Sequence, residues 1–338
     1  GHGSTGASCA IIRVHYSTFE GVATSYGGHF YWKDWANYLG VDDENGIAKY
    51  VNTGCIVTKT EKNDYLETVC RNLDELGVEW EDLSPADWRE RIPICDPHSF
   101  APVRLMDDPL FGEKSVDMVR GAIFTPTAGY IPDPELATHN VQRATEARMG
   151  EFRFNTEVVD VRKADGRVQG VTLSTGEEVD APVVVNVAGP HSYIINRMAG
   201  VEDSMKIKTR ALRQEVAFVP GPEGYDFGAN GCVTSDGDVG VYYRPDVGNL
   251  ILVGSEDPEC DPKEWVDPDD YNREITEQSR VQVYRLAQRI PDLPIPARLK
   301  GLVDLYDVTD DWIPIYDKSD LDGFYMAVGT SGNQFKNA

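Results

Sequence analysis

The stretch Val183-Val184-Val185-Asn186-Val187-Ala188-Gly189-Pro190 decides the fold class. Its nearly unbroken apolar run predicts a strand of a parallel sheet that is buried on both faces, since a strand with one wet face alternates apolar and polar residues. Glycine and proline then end the strand in a turn. A second strand of this kind is predicted at 324–330, where an apolar run again leads into glycine.

The residues before this strand predict a helix followed by a meander. Leu136, Val141, Ala144 and Ala147 give 134–149 the apolar face of a helix. The meander is predicted as strands at 152–154, 158–161 and 168–173, with a hairpin turn at Asp165-Gly166. Helix, meander and buried strand together predict a layered α/β domain. Nearer the start of the chain we expect a helix at 28–38, a strand at 54–58, a helix at 61–76 and proline-rich loops with short helices at 79–118.

The character of the sequence changes between 205 and 310. Alternating strands at 211–219, 239–244 and 250–254 predict an antiparallel sheet, and one helix is predicted at 268–288. The acidic stretch 255–270 is interpreted as a solvated surface loop. The chain is therefore expected to have a mixed fold, with an α/β part and a largely antiparallel part.

Length and charge exclude several classes of protein. The 338 residues suggest about two domains. A net charge of −24 disfavours a nucleic-acid partner, because phosphate groups repel an acidic surface. No apolar run reaches the ~20 residues of a membrane span, and the six cysteines and six histidines show no metal-ligand spacing. We expect a cytoplasmic protein with reduced thiols and no bound metal.

Four ordered motifs carry a resemblance to a known family. They are Ser4-Thr5-Gly6-Ala7-Ser8 with Ile11-Ile12-Arg13 and Tyr16; Gly129–Pro134 with Asn155–Val158; Val185–Ser192; and Tyr306–Pro314 with Gly329–Lys336. Together they resemble the D-amino-acid oxidase (DAO) superfamily of FAD-dependent oxidoreductases. The most similar branch contains sarcosine oxidase, dimethylglycine dehydrogenase and proline dehydrogenase.

The resemblance implies two discontinuous domains. An FAD-binding, Rossmann-like domain is expected from 1–45, 121–202 and 311–338, and an antiparallel substrate domain from 46–120 and 203–310. The family normally begins with a strand, a G-x-G-x-x-G turn, a helix and a second strand that hold the FAD pyrophosphate and ribose. This sequence starts after that unit and stops at Asn337-Ala338, before the family's closing helix. The resemblance thus implies a form truncated at both ends, and leaves open whether it retains FAD.

The resemblance also assigns cofactor-binding residues. FAD is expected to be non-covalent, since Asp304 stands where sarcosine oxidase carries its tethering cysteine. Small residues let backbone N–H groups approach a phosphate or a flavin ring closely. The residues expected to contact FAD are Ser4, Thr5, Gly6, Ser8, Val158, Ala188, Gly189, His191, Gly329, Gly332, Asn333, Gln334 and Phe335.

The substrate residues implied by the resemblance are two cations and three rings. Arg13 and Lys336 would bind a carboxylate. The guanidinium of Arg13 can bind that group with two hydrogen bonds, and Lys336 would supply a second positive charge. Tyr16, Tyr306 and His15 would lie beside the substrate, although each is also a common packing residue of a strand. Arg244 would either line the same cavity or pair with one of the many carboxylates.

The function implied is oxidation of an amino acid or a secondary or tertiary amine, with hydride transfer to flavin. Ile251 aligns with the oxygen-activating lysine of sarcosine oxidase, which favours a dehydrogenase that passes electrons to an acceptor protein or a quinone. Two alternatives stay open. One is a non-catalytic regulatory or assembly subunit of the same superfamily, and the other is a 2-hydroxy-acid dehydrogenase.

Overall fold

A computed structural model describes residues 3–337, so Gly1, His2 and Ala338, which end two of the expected FAD-binding segments, lie outside the described residues. The helices are α1 (Phe19–Lys33), α2 (Trp35–Leu39), α3 (Leu66–Glu75), α4 (Pro85–Arg91), α5 (Pro134–Glu146), α6 (Ser192–Ala199), α7 (Phe227–Asn230) and α8 (Glu277–Arg289). The strands up to residue 186 are β1 (Ile11–Ile12), β2 (Val51–Asn52), β3 (Cys55–Thr58), β4 (Glu81–Leu83), β5 (Ala122–Thr125), β6 (Gly129–Tyr130), β7 (Val158–Ala164), β8 (Arg167–Leu173), β9 (Glu178–Asp180) and β10 (Val184–Asn186). The later strands are β11 (Thr209–Pro220), β12 (Val233–Asp236), β13 (Val241–Asp246), β14 (Leu250–Ser255), β15 (Lys300–Thr309), β16 (Ile315–Lys318) and β17 (Phe324–Val328).

A large sheet roofs one side of the molecule. Its eight strands run in the order β15-β11-β14-β13-β12-β3-β5-β4, and all pairs are antiparallel except β12 with β3. One face packs on α8, where Ile251 and Val253 join Val283 and Leu286 in the largest apolar cluster. The opposite face forms the ceiling of a cavity, and α3 packs on the same face at β3 and β5 through Leu66, Val69 and Leu73. The predicted antiparallel strands of this region are confirmed.

The α/β part contains the remaining three sheets of the described chain, ordered β1-β6-β2, β10-β17-β16 and β7-β8-β9. Strands β10 and β17 are parallel, and the hairpin at Asp165-Gly166 joins β7 to β8, both as expected. The mixed α/β class is therefore confirmed.

Burial of the first quoted strand on both faces is wrong. Val183, Val185 and Val187 keep 49 %, 51 % and 68 % of their surface exposed. Strand β10 packs on α6 by one face alone, together with Phe324 and Met326 of β17. An apolar sequence shows that a strand can be buried, whereas burial itself depends on whether another element covers it.

The first helix differs most from its prediction at 28–38. Helix α1 begins at Phe19, because the Thr18 side chain accepts a hydrogen bond from the backbone N–H of Gly21 and so caps its first turn. It ends at Asp34, and α2 continues to Gly40, whose φ of +63° closes it. Trp32 and Trp35, on either side of this break, stack with ring centroids 4.1 Å apart.

Other boundaries also move. Helices α3 and α8 begin later than the predicted 61 and 268, and no strand forms at 152–154. The predicted helix at 134–149 and the strand at 54–58 are confirmed within about three residues. Strand β5 pairs with β3 and β4 in the eight-stranded sheet, so the sheet extends past the domain boundary expected at residue 121.

Two further features bear on class. None of the helices within residues 3–337 has both the length and the hydropathy needed to cross a bilayer. Among the same residues Asp43, Glu44 and His139 could together approach a metal ion. Their side chains already bond to one another or to Arg143, so the cluster is accounted for as an ion-pair network.

Candidate functional site

A cavity of about 940 Å³ lies between the eight-stranded sheet and both ends of the described chain. Its volume is near the upper end of the range for small-molecule sites. The chain ends contribute Ser4 to Tyr16 on one side and Thr330 to Asn337 on the other, and the sheet contributes side chains of β11 to β15. Residues more than 300 positions apart therefore line one site.

Arg13 enters this cavity directly after β1, which is held in place by pairing with β6. One guanidinium nitrogen lies 2.7 Å from His15 Nε2, and the other donates to Asn333 Oδ1 at 2.8 Å. Burial disfavours its charge, yet the pKa of Arg13 is raised, because Tyr16 and Glu256 act in the opposite direction. Arg13 is thus a permanent cation in the cavity wall.

Lys336 lies next to Arg13 but does not line the cavity. Its ammonium group is buried, donates to the backbone oxygen of Asn333 and sits 4.0 Å from the centroid of the Tyr16 ring. Burial, assisted by the positive charge of Arg13, holds the pKa of Lys336 well below its usual range. The structure therefore brings the two predicted cations together on Asn333 and Tyr16, with Arg13 alone facing the open space.

His15 stands behind the cavity wall. It is buried between the guanidinium of Arg13 and the thiol of Cys55, whose Sγ is 3.8 Å from Nδ1. Burial and the two nearby cations, Arg13 and Lys336, lower the pKa of His15 well below its usual value. A neutral His15 can accept a hydrogen bond from Arg13 and fix its orientation.

Two tyrosines project from the sheet into the cavity. The Tyr242 hydroxyl lies 3.3 Å from that of Tyr306 and 2.9 Å from Cys9 Sγ. Tyr242 can lie flat on β14 because Gly254 is its neighbour; a Cβ at Gly254 would come within 2.4 Å of the phenol ring. Burial raises the pKa of Tyr242 and of Tyr306, so both phenols stay protonated.

The segment after β17 follows the other wall of the cavity. Gly332 has a φ of +68°, and a Cβ there would lie 2.4 Å from the Tyr306 ring, so only glycine fits. Phe335 stacks on Trp32 of α1, and the Trp32 indole donates to the Lys336 backbone oxygen at 2.9 Å. Helix α1 therefore anchors the segment that presents Asn333 and Gln334 to the cavity.

Most of the residues expected at the site do meet in this cavity. Those that line it are Ser4, Thr5, Ser8, Arg13, Tyr16, Gly189, Tyr306, Gly332, Asn333, Gln334 and Phe335. Those that do not are Gly6, His15, Val158, Ala188, His191, Gly329 and Lys336. His191 instead pairs with Asp269 on the surface, and Gly329 packs on Thr309. Their roles stay predictions, with His15 and Lys336 placed to act through Arg13 and Tyr16.

Two positions used in the sequence argument do not line the cavity. Ile251 packs under α8 on the far side of the sheet, so its alignment with a lysine beside the flavin is wrong and carries no argument about oxygen. Arg244 forms an ion pair with Asp246 at 3.2 Å and donates to the Cys9 backbone oxygen, which confirms the alternative that it pairs with a carboxylate.

Among the cavity residues that sequence reasoning missed are Gln214, Tyr242 and Glu256. Tyr242 was missed because the alternation of a strand does not by itself reveal which of its two faces meets the site; the next residue, Tyr243, lies in the apolar core. Glu256 was interpreted as part of the solvated acidic loop at 255–270. A signal was available, because Glu256 continues the alternation of Leu252 and Gly254 one step past β14.

The comparisons with known proteins agree with this geometry. A model of the family described as FAD dependent oxidoreductase (DAO) matches residues 1–338. The chain belongs to this family, and FAD is its cofactor.

Two curated relatives are similar in sequence. The chain is 24 % identical to sarcosine oxidase subunit beta of Rhodobacter capsulatus over 347 residues, which covers 99 % of this chain and 73 % of that protein. It is 27 % identical to sarcosine oxidase subunit beta of Rhizobium meliloti over 198 residues, which covers 57 % of this chain and 43 % of that protein.

Solved structures show the same fold. L-proline dehydrogenase from P. horikoshii superposes with a TM-score of 0.78 at 20 % identity, over 100 % of this chain and 81 % of that one. Glycine oxidase from Geobacillus kaustophilus superposes with a TM-score of 0.73 at 18 % identity, over 100 % and 82 %.

The residues of the cavity fit an FAD molecule. Ser4, Thr5 and Ser8 offer hydroxyl and backbone donors in one wall, as a phosphate requires, and Gly189 lines the cavity with no atom within 4 Å of the position of a Cβ. Asn333 and Gln334 line the same cavity together with Tyr242 and Tyr306, where a flavin ring and a small substrate would share the space.

Proposed function

We propose that this protein oxidises a small amino acid with a secondary or tertiary amine, such as N-methylglycine, N,N-dimethylglycine or proline. The observation that carries the proposal is the guanidinium of Arg13, a charged group in the wall of a deep cavity with no carboxylate bound to it within the described residues. A guanidinium held in this way binds a ligand carboxylate with two hydrogen bonds.

The residues around Arg13 would orient the substrate. His15 and Asn333 fix the guanidinium from behind, so that little rotational freedom is lost when a carboxylate binds. Tyr242 and Tyr306 project from the sheet into the same cavity and would limit the size of the amine. FAD, when bound, would supply the acceptor for a hydride from the carbon next to nitrogen, a transfer that requires the nitrogen to have lost its proton. The names of the two curated relatives, both sarcosine oxidase subunits, support this class of substrate.

The test is anaerobic reduction of the bound flavin. The protein is supplied with FAD and mixed with N-methylglycine, N,N-dimethylglycine, proline or a 2-hydroxy acid, and the flavin absorbance is followed. Bleaching by an amine supports the proposal. Bleaching by the hydroxy acid alone supports the hydroxy-acid alternative, and no bleaching by any of them supports the non-catalytic one.

The electron acceptor is a separate question. Dehydrogenase rather than oxidase stays our proposal, although Ile251 no longer supports it, and an acceptor protein or a quinone would then receive the electrons. Lys263 is a second cation that lines the cavity, 5.0 Å from the Trp312 ring centroid, and a cation near a flavin favours reaction with oxygen. Comparing reoxidation of the reduced protein by oxygen and by a soluble quinone decides between the two.

A further inference from the structure

Glu256 places an unneutralised carboxylate in the cavity. It follows β14, and its backbone N–H donates to the Gly240 oxygen at 3.1 Å, which fixes its position at the end of the strand. The side chain lines the cavity and remains accessible to solvent there. No cationic nitrogen of residues 3–337 forms an ion pair with it. Glu256 is therefore a negatively charged group that a ligand in the cavity can reach.

The groups around Glu256 do not remove its charge. Ser235 hydrogen-bonds to the carboxylate, and Arg13 attracts it from across the cavity, while Asp236 and Asp257 repel it. Burial by the surrounding protein outweighs the favourable contacts and raises the pKa of Glu256 above its ordinary value. An added cation would relieve this penalty.

Arg13 and Glu256 influence each other without touching. The carboxylate of Glu256 contributes to the raised pKa of Arg13, yet the two side chains do not form an ion pair. A ligand that spans the gap gains most if it has an anionic group at one end and a cationic group at the other. An amino acid in its zwitterionic form carries this pair of charges, a carboxylate and an ammonium group on the same carbon atom.

We infer that Glu256 recognises the positively charged nitrogen of the substrate, while Arg13 holds the carboxylate, so that the site selects zwitterions over plain carboxylates. This inference rests on the proposed function, because it assigns the second charged contact to the same substrate. It also gives specificity a physical origin: an uncharged isostere displaces water from the Glu256 carboxylate and offers no partner in return.

The experiment compares two ligands of nearly the same shape. N,N-dimethylglycine carries the ammonium group, and 3-methylbutanoate replaces it with an uncharged CH. Dissociation constants are measured by calorimetry on the FAD-loaded protein with its flavin chemically reduced beforehand, so that no turnover takes place. The parent protein should prefer dimethylglycine by about tenfold or more, as expected for a charge-assisted hydrogen bond.

Substitutions assign this preference to one residue. Glu256→Gln should reduce it by about tenfold and leave 3-methylbutanoate binding unchanged or tighter, whereas Glu256→Asp, which keeps the charge, should retain most of it. The matched control is Asp257→Asn, since Asp257 also lines the cavity but its carboxylate accepts from Gln214 Nε2 at 3.1 Å. Asp257→Asn should keep the preference.

Three results would overturn the inference: a parent protein that binds neither ligand or binds both equally, a Glu256→Gln protein that keeps the preference, or an Asp257→Asn protein that loses it to the same extent. Failure of the proposed function has a different signature. In that case no amine reduces the flavin, whereas the ligand preference and its dependence on Glu256 persist.

Discussion

Arg13 is the residue on which substrate binding depends most. Its two hydrogen bonds, to His15 and Asn333, leave part of the guanidinium facing the cavity. This division explains why a buried neutral histidine lies beside a cation: His15 accepts a hydrogen bond from Arg13 without neutralising it. Lys336 has a different position, since it is buried below Tyr16 and donates to the chain that presents Asn333.

Replacing Arg13 with lysine should weaken binding of carboxylate ligands by about 10- to 100-fold, because an ammonium group cannot form the paired hydrogen bonds. The measurement is the dissociation constant of 3-methylbutanoate, with the near-ultraviolet circular dichroism spectrum as a check of the fold. Arg298→Lys, an exposed arginine outside the cavity, is the control and should bind as the parent does. Unchanged binding in Arg13→Lys would place the ligand carboxylate elsewhere.

Whether the sequence predicts a residue of this site depends on the kind of segment in which the residue lies. Arg13, Tyr16 and Asn333 were predicted because they belong to contiguous motifs near the chain ends. Tyr242 and Glu256 were missed because they lie on strands of the sheet, where one step along the chain moves a side chain to the opposite face. Only the observed registers, such as Tyr242 opposite Gly254, decide which parity faces the cavity.

At the scale of elements, the turn after β17 joins the flavin segment to the sheet. Gly329 and Gly332 both have positive φ values, and both approach side chains of β15 or its end. Asp307 of β15 reaches this turn from the other side and accepts a hydrogen bond from the Gly329 N–H at 2.6 Å. The position of Asn333 is therefore determined by β15 as well as by α1.

Gly332→Ala should displace this turn. The new methyl group would meet the Tyr306 ring, and the backbone would also be strained at φ +68°. Gly176→Ala separates the two effects, because Gly176 has φ +85° with no atom near its Cβ position. Gly332→Ala should lose about 2 kcal/mol or more of unfolding free energy beyond the loss in Gly176→Ala, of order 1 kcal/mol, as measured by urea denaturation. Equal losses would mean that Tyr306 moves aside freely.

The carboxyl group of Asp307, on β15, makes the stability of the folded protein depend on pH. Burial raises the pKa of Asp307 to about 6 from 3.8, although the Gly329 N–H acts against this shift. The folded state therefore holds this proton more tightly than the unfolded state, and the stability that the proton confers is lost as pH rises from about 4 through about 6. The full penalty above pH 6 is at most ~3 kcal/mol.

Asp307→Asn should remove that penalty, because the amide oxygen can still accept from Gly329 and carries no charge. The variant should match the parent near pH 4 and exceed its unfolding free energy by ~1–3 kcal/mol above about pH 7. Urea denaturation at the two pH values provides the measurement. A difference that is the same at both would rule out the carboxyl as its source.

At the scale of the whole molecule, the sheets of the two parts differ in how far other elements cover them. The eight-stranded sheet is a complete layer, with α8 on one face and both α3 and the cavity on the other. The sheet of β10, β17 and β16 is covered by α6 on one face. On its other face Val185, Val187 and Tyr325 each keep at least two fifths of their surface exposed. The apolar sequence of β10 predicted its place in a parallel sheet correctly, but coverage is a property of the assembled layers.

The negative charge of the whole chain is the last property that the structure makes testable. With 56 acidic and 32 basic residues, the folded molecule carries a net charge of −24, and packing into a compact volume brings these charges closer than in the unfolded chain. Salt screens such repulsion over about 10 Å. The melting temperature should therefore rise by several degrees between about 0.05 and 0.5 M NaCl at neutral pH. Near pH 5, where many more carboxylates hold protons, the same salt range should have a clearly smaller effect. An equal rise in melting temperature at both pH values would show that salt acts by strengthening apolar burial instead. In that case surface ion pairs, such as Arg153 with Glu177, offset the repulsion at neutral pH.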